Sequence, residues 1–183
     1  MNFTSFSPLP LSLWRRIGVL VVGVFMTLSL APRASAQSQE EARAIFLFNF
    51  AKFVEWPATA FADPATPITI AVVDDAAVAK ALERAVKGKN ANGRDIVVKS
   101  LPSAEGCADS HIVYVSKAQH IGAVVQAIAG KPVLSVGEDE TFLKSGGAIR
   151  LFSKDNKVLC AINIKVPEAV GLKLGDKLVK ASS

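Results

Sequence analysis

Apolar residues in this chain mostly fall in short unbroken runs rather than in strict alternation with polar ones. ITIAVV, Ile68–Val73, is rich in β-branched residues, which is the pattern of a strand covered on both faces. Residues 95–101, 111–115 and 133–136 read as three further strands. Between them, the alanine-rich stretch Ala76–Val86 reads as a helix closed by Lys87-Gly88-Lys89-Asn90. Residues 118–129 form a second helix, ended by Gly130 and Pro132, and residues 139–144 a short third one before Gly146-Gly147. Strands alternating with helices predict one α/β domain: an open, mostly parallel sheet with helices on both faces. The last third breaks the alternation. Residues 148–153 and 158–164 flank Lys154-Asp155-Asn156-Lys157, and Asp and Asn tolerate the positive φ of a hairpin turn. This predicts a C-terminal antiparallel hairpin with Leu151 opposite Cys160 and Phe152 opposite Leu159. Ile149, Leu151, Val158, Cys160 and Ile162 then share one apolar face. A helix over 173–180 completes the domain.

Ahead of the first strand, Ser38 and Glu41 form an S-x-x-E capping pattern that predicts a helix over 38–55, stopped by Pro57. Turning its residues by 100° each separates two sides. Phe46, Leu47, Phe50, Ala51, Phe53 and Val54 make an ordinary core stripe. Ile45, Phe48, Asn49, Lys52, Glu55 and Trp56 gather on the other side, where a water-facing helix would seldom place an isoleucine, a phenylalanine and a tryptophan. Either the helix is buried on both sides, or this second face is offered to a partner, since interfaces favour aromatic anchors beside a few polar groups. Insertion into a membrane surface fits less well, because Lys52 is the sole cation of that face.

Charge changes meaning once the N-terminus is considered. The 183 residues carry a net +5 with half the positions apolar, enough for one ordinary core. Arg15-Arg16, an uncharged run over 17–32, Arg33 and Ala34-Ser35-Ala36 follow the order of a cleavable secretory signal. Cleavage after Ala36 leaves residues 37–183 with a net charge of +2, which removes the reason to expect a nucleic-acid partner. The apolar run falls short of the roughly 20 residues of a spanning helix, so the expectation is an exported domain without stable membrane insertion. In that compartment the two cysteines, Cys107 and Cys160, favour a disulfide over two separately buried thiols. Such a bridge would contribute about 4 kcal/mol in the chain-entropy account.

Catalytic patterns are sparse. His111 and His120 sit in no metal-ligand spacing, and Lys144-Ser145-Gly146-Gly147 lacks the ending of a phosphate loop. Asp74-Asp75 places two carboxylates where open α/β sheets bind ligands, in the manner of a receiver domain's acidic pair. Ser116-Lys117 and Lys131-Pro132 do not supply the rest of that site. Helix capping by Asp75 accounts for the pair more simply. No catalytic residue, metal or cofactor is expected. The alternative function is a small-ligand receptor or enzyme at the strand edge near Asp74, Asp75 and Ser116; a structural module of the envelope is a third reading.

The stretch from Ala44 to Pro57, AIFLFNFAKFVEWP, resembles the N-terminal signature of the YfiR family of periplasmic proteins. Cys107 with HIVYVS from His111, VLSV from Val133, Phe142 with Gly146-Gly147-Ala148-Ile149, AIN from Ala161 and GLKL from Gly171 follow in the family's order. The resemblance covers nearly the whole chain after residue 36. It implies a regulatory α/β domain without catalysis. In the best-known member's system that domain represses a membrane-bound diguanylate cyclase by binding its periplasmic portion, lowering cyclic di-GMP and biofilm formation. It also implies an inner-membrane signalling partner for this chain, beside a second copy of itself as the other candidate for the aromatic face. The best-known member carries two disulfides, and this chain has cysteines for one.

Overall fold

The structure is a computed structural model and describes residues 31–180. The chain divides into two compact units, Met1–Gln37 and Ser38–Ser183. Of the first, only the residues from Ala31 are described, so the expected export signal lies mostly outside the described residues. Among the described residues no helix is long and apolar enough to cross a membrane.

Helix α1 spans Ala31–Phe53. It passes straight through Ser38, so the capping pattern there does not mark its start. The helix also stops two residues before the expected Glu55. Val54 and Glu55 instead form strand β1, Val54–Glu55, paired antiparallel with a segment near the C-terminus. A 3₁₀ turn, Ala58–Ala60, leads to β2, Ile68–Val73, in which all six residues are buried. Helix α2, Ala76–Val86, follows. A hairpin comes next: β3, Asn90–Ala91, turns through Asn92 and Gly93, both at positive φ, into β4, Arg94–Leu101. The Asn-Gly pair is the strongest short hairpin signal there is, although the two-residue strand before it was not expected.

The second half continues with β5, Ile112–Val115, α3, Ala118–Ala127, and β6, Leu134–Gly137. β7, Ile149–Lys154, and β8, Lys157–Ile162, make the expected hairpin. Asp155 and Asn156 take positive φ, and Leu151 faces Cys160. A short helix α4, Lys165–Ala169, was not anticipated. The helix expected over 173–180 is confined to α5, Asp176–Lys180, because Lys173 and Leu174 form β9, Lys173–Leu174, the partner of β1.

Seven strands form one sheet in the order β3-β4-β2-β5-β6-β7-β8. The five central strands are parallel, and the two end pairs are antiparallel. This confirms the α/β class, and a separate two-stranded ribbon joins β1 to β9. Alternation along β2 and β5 divides the core in two. Ile70, Val72, Ile112 and Tyr114 face Leu47 and Phe50 of α1 and Leu82 of α2, with Leu151 and Cys160 in the same cluster. Ala71, Val73, Val113 and Val115 face Ile121 and Val124 of α3, with Cys107 and Phe142. Leu47, Phe50, Ala51 and Val54 have no exposed surface. Fully burying a side chain of Leu, Val or Phe size contributes about 1.5–3 kcal/mol, so this stripe is what seats α1.

Two expectations fail here. The Cys107–Cys160 bridge is not formed: both cysteines are buried thiols. They belong to the clusters on opposite sides of the sheet, and burial pushes both thiols above their ordinary pKa. Nor do residues 139–144 form a helix. The Asp139 carboxylate instead accepts from the Thr141 backbone N–H at 2.8 Å and from its hydroxyl at 2.6 Å, a local turn that competes with helix. That turn carries Phe142 inward, where its ring lies against two glycines. A Cβ on Gly137 would stand 2.6 Å from the ring, and one on Gly147 would overlap it as well.

Gly147→Ala is therefore expected to cost about 1–3 kcal/mol by overpacking, read from urea unfolding. Most of that cost should vanish when Phe142→Ala is already present. Thiol titration should find two thiols per chain, reactive only after unfolding, and reductant should leave the thermal midpoint unchanged. A midpoint that falls on reduction would restore the bridge.

Candidate interaction surface

The second side of α1 is neither interior nor bare. Ile45 is 54% exposed, the most exposed large apolar residue of the described chain. Lys52 and Glu55 are exposed, while Phe48, Asn49 and Trp56 are half-buried. Phe48 is roofed by cations, with the Lys52 ammonium 5.5 Å and the Lys89 ammonium 5.2 Å from its ring centre. Such contacts are worth about 0.5–1 kcal/mol at exposed sites. They let an aromatic ring sit at the surface without facing bulk water.

Four of these six residues line two concavities, and Phe48 and Asn49 line neither. Ile45 borders a groove of about 320 Å³ between α1 and α2, with Glu41, Ala81, Arg84, Ala85 and Lys89. Glu55 and Trp56 border a cavity of about 450 Å³ whose walls also include Lys52, Phe61, Asn92 and Arg94. The α2 residues and the β3–β4 turn were invisible to a reading of α1 alone, since only the tertiary fold lays α2 beside it. Arg84 and Lys89, exposed on a predicted helix and its closing turn, were the only available signal.

Behind Trp56 stands a buried histidine that the sequence suggested was merely a strand-end residue. His111 Nδ1 accepts from the Thr69 backbone N–H at 3.0 Å, which leaves the ring proton on Nε2 to be donated to the Ala60 carbonyl at 3.1 Å. The ring stacks on Phe61 at 4.7 Å and meets Trp56 edge-on at 6.0 Å. Across Phe61 lies the Arg94 guanidinium, 3.8 Å from the ring centre. Its Nη1 donates to the carbonyls of Asp63, Pro64 and Thr66 at 2.7–3.0 Å. Arg94 and His111 thus hold the loop after Pro57 from two sides. Burial is the main cause that lowers the His111 pKa, and the Arg94 charge lowers it further. The imidazole is neutral here by geometry as well, because protonating Nδ1 would remove the acceptor for Thr69.

The acidic pair expected as an alternative site has been split. Asp75 caps α2, accepting from the Val78 N–H at 3.1 Å. Asp74, at φ 51°, receives Lys117 Nζ at 2.7 Å and His120 Nε2 at 3.0 Å on one carboxylate oxygen. These hydrogen bonds hold its pKa below the ordinary carboxylate range. Nearby, the Tyr114 hydroxyl donates to Glu138, whose carboxylate pairs with Arg43 of α1. The parallel strands run in the doubly wound order in which ligands bind beyond the ends of β2 and β5. At that edge Asp74 and Glu138 are both engaged by side chains of this chain. Ser116 is half-buried beside them. Among the described residues, no three His, Cys, Asp or Glu side chains converge as a metal site.

A family model described as YfiR/HmsC-like matches residues 40–183. No curated protein matches the chain.

Because the folded pKa of His111 lies below its unfolded value near 6.5, its contribution to stability is complete above that value. It is lost as pH falls through the window beneath it. Thermal midpoints should decline from pH 7 to pH 5, and His111→Gln should lower the midpoint at pH 7 while flattening that decline. Trp56 is the single tryptophan of residues 37–183, so its emission should report loosening of the adjoining loop.

Proposed function

The chain belongs to the YfiR/HmsC-like family, and from that premise we propose that it is a periplasmic regulator that represses a membrane-bound diguanylate cyclase, or a similar receptor. It would do so by binding the receptor's periplasmic portion. Family membership supports a regulator of cyclic di-GMP signalling rather than a catalyst. The observation that carries the docking surface is the exposed Ile45 beside the α1–α2 groove, bordered by Glu41, Arg84 and Lys89. Phe48 and Asn49 extend the surface along α1, and Glu55 and Trp56 continue it past the end of the helix. In this reading residues 1–36 are a cleaved export signal. Cleavage would shorten α1 but leave Arg43 and the buried stripe from Ala44 in place.

Repression then works by differential affinity. A repressor shifts its receptor only to the extent that it binds the inactive arrangement more tightly. Moving a receptor from almost fully active to almost fully inactive takes about 5.5 kcal/mol of such preference. A few centrally placed apolar and aromatic side chains can supply that, since hot-spot truncations cost about 2–4 kcal/mol each. The small-ligand reading at the strand edge has less support, because its carboxylates already have partners within the fold.

Ile45→Glu combined with Lys52→Glu alters two exposed side chains without touching the core stripe. Partner capture should fall by at least tenfold and cellular cyclic di-GMP should rise, with the circular dichroism spectrum unchanged. Unaltered capture and cyclic di-GMP with a folded variant would exclude this surface.

A further inference from the structure

The groove beside Ile45 has a small floor and a charged rim. Ala81 is buried and Ala85 half-buried, one turn apart on α2, and Ile45 rises from α1 on the opposite wall. The backbones of α1 and α2 bond within their own helices, so the groove offers no ladder to an incoming strand. A third helix, with its backbone satisfied internally, fits between them, and the alanines let it approach closely. The rim has cations without counter-charges. Arg84 gives its Nε–H to the Lys80 carbonyl at 3.3 Å, and its terminal nitrogens have no acceptor among the described residues. The Lys89 and Lys52 ammoniums lie 5.2 and 5.5 Å from the centre of the same Phe48 ring. None of these three cations joins an ion pair among the described residues. Like charges gathered at one ring repel, and a carboxylate brought beside them relieves that repulsion without breaking an existing pair. Glu41, the acid of this groove, stands one turn ahead of Ile45, whereas Phe48 and Lys52 follow it. The groove thus has an acidic end and a basic end.

We infer, resting on the repression proposed above, that the occupant of this groove is an acidic amphipathic helix of the receptor's periplasmic portion. Its apolar stripe seats a large side chain on Ala81 and Ala85 against Ile45. Carboxylates three or four residues apart on its flank meet Arg84, Lys89 and Lys52. Glu41 sets the direction, because the acidic end of the incoming helix is repelled there and drawn to the end beside Phe48. Charge also separates this occupant from the others. A second copy docked about a two-fold axis would bring the same cationic rim against itself. An anionic lipid surface would satisfy the cations and leave the alanine floor unfilled.

A photoreactive phenylalanine in place of Ile45, crosslinked in intact cells, should be recovered on a receptor peptide with apolar residues at helical spacing and carboxylates on one flank. Arg84→Glu with Lys89→Glu should lower capture of the receptor's purified periplasmic portion about tenfold or more, with the thermal midpoint near wild type. Changing two carboxylates of the crosslinked peptide to lysine should weaken capture by the wild type and restore it for the charge-reversed chain. Raising salt from about 0.05 to 0.5 M should weaken wild-type capture and leave that of Arg84→Gln with Lys89→Gln almost unchanged. If the charge-reversed chain is unstable, that salt response decides alone. Crosslinks to a strand, to lipid or to a second copy overturn the acidic helix and leave repression standing, as does receptor capture indifferent to charge reversal and salt. A wild type that captures no receptor, in cells whose cyclic di-GMP is unmoved by its loss, overturns the repressor reading and this inference with it.

Discussion

A strand that offers no polar side to solvent has to be covered twice, and β2 imposes that demand on the rest of this fold. All six of its residues are buried. One side is met by α1 and α2, the other by α3. Placing two helices on one side lays them next to each other and leaves the groove beside Ile45. The same division settles the cysteines, because residues consigned to opposite sides of a close-packed sheet cannot meet without dismantling it. Arg43 then fixes where α1 lies along the sheet through Glu138, which also holds the otherwise buried Tyr114 hydroxyl.

How much of this was legible in the chain depends on the range of the signal. β2 and α2 were readable to the residue, since a β-branched run and an alanine-rich stretch behind an aspartate are local facts. The β7–β8 register was readable as well, because Asp155 and Asn156 specify the turn and the turn specifies the pairing. Residues 139–144 misled because their composition suits a helix. What overrides it is the Asp139–Thr141 turn and the seating of Phe142 against Gly137 and Gly147, a steric fit that composition does not encode. Cysteine counting misled for a related reason: an even number says nothing about which face each residue occupies. β1 and β9, two residues each, carry no periodicity to read.

The candidate surface shows the same limit. Its α1 half could be drawn from helical periodicity, while its α2 half, Ala81, Arg84, Ala85 and Lys89, depends on which helix the fold sets alongside. His111 was passed over because one histidine at a strand start has no motif. Its importance comes from three segments converging on one ring: the Thr69 N–H, the Ala60 carbonyl and the Phe61 face. This ring also ties the loop behind Trp56 to the ends of β2 and β5. The aromatic end of the surface is consequently held by hydrogen bonds to a neutral imidazole, whereas the Ile45 end is held by apolar packing that proton uptake does not touch.

The small ribbon between β1 and β9 has a consequence in time. Val54 meets Leu174, Glu55 meets Lys173, and the Gly175 N–H donates to the Phe53 carbonyl at 2.9 Å. The end of α1, among the first parts of the domain to be synthesised, is therefore finished by residues that are among the last. A chain still emerging from the ribosome carries the aromatic segment without this brace. A receptor that recognises that end of α1 recognises a chain whose β1–β9 ribbon has closed.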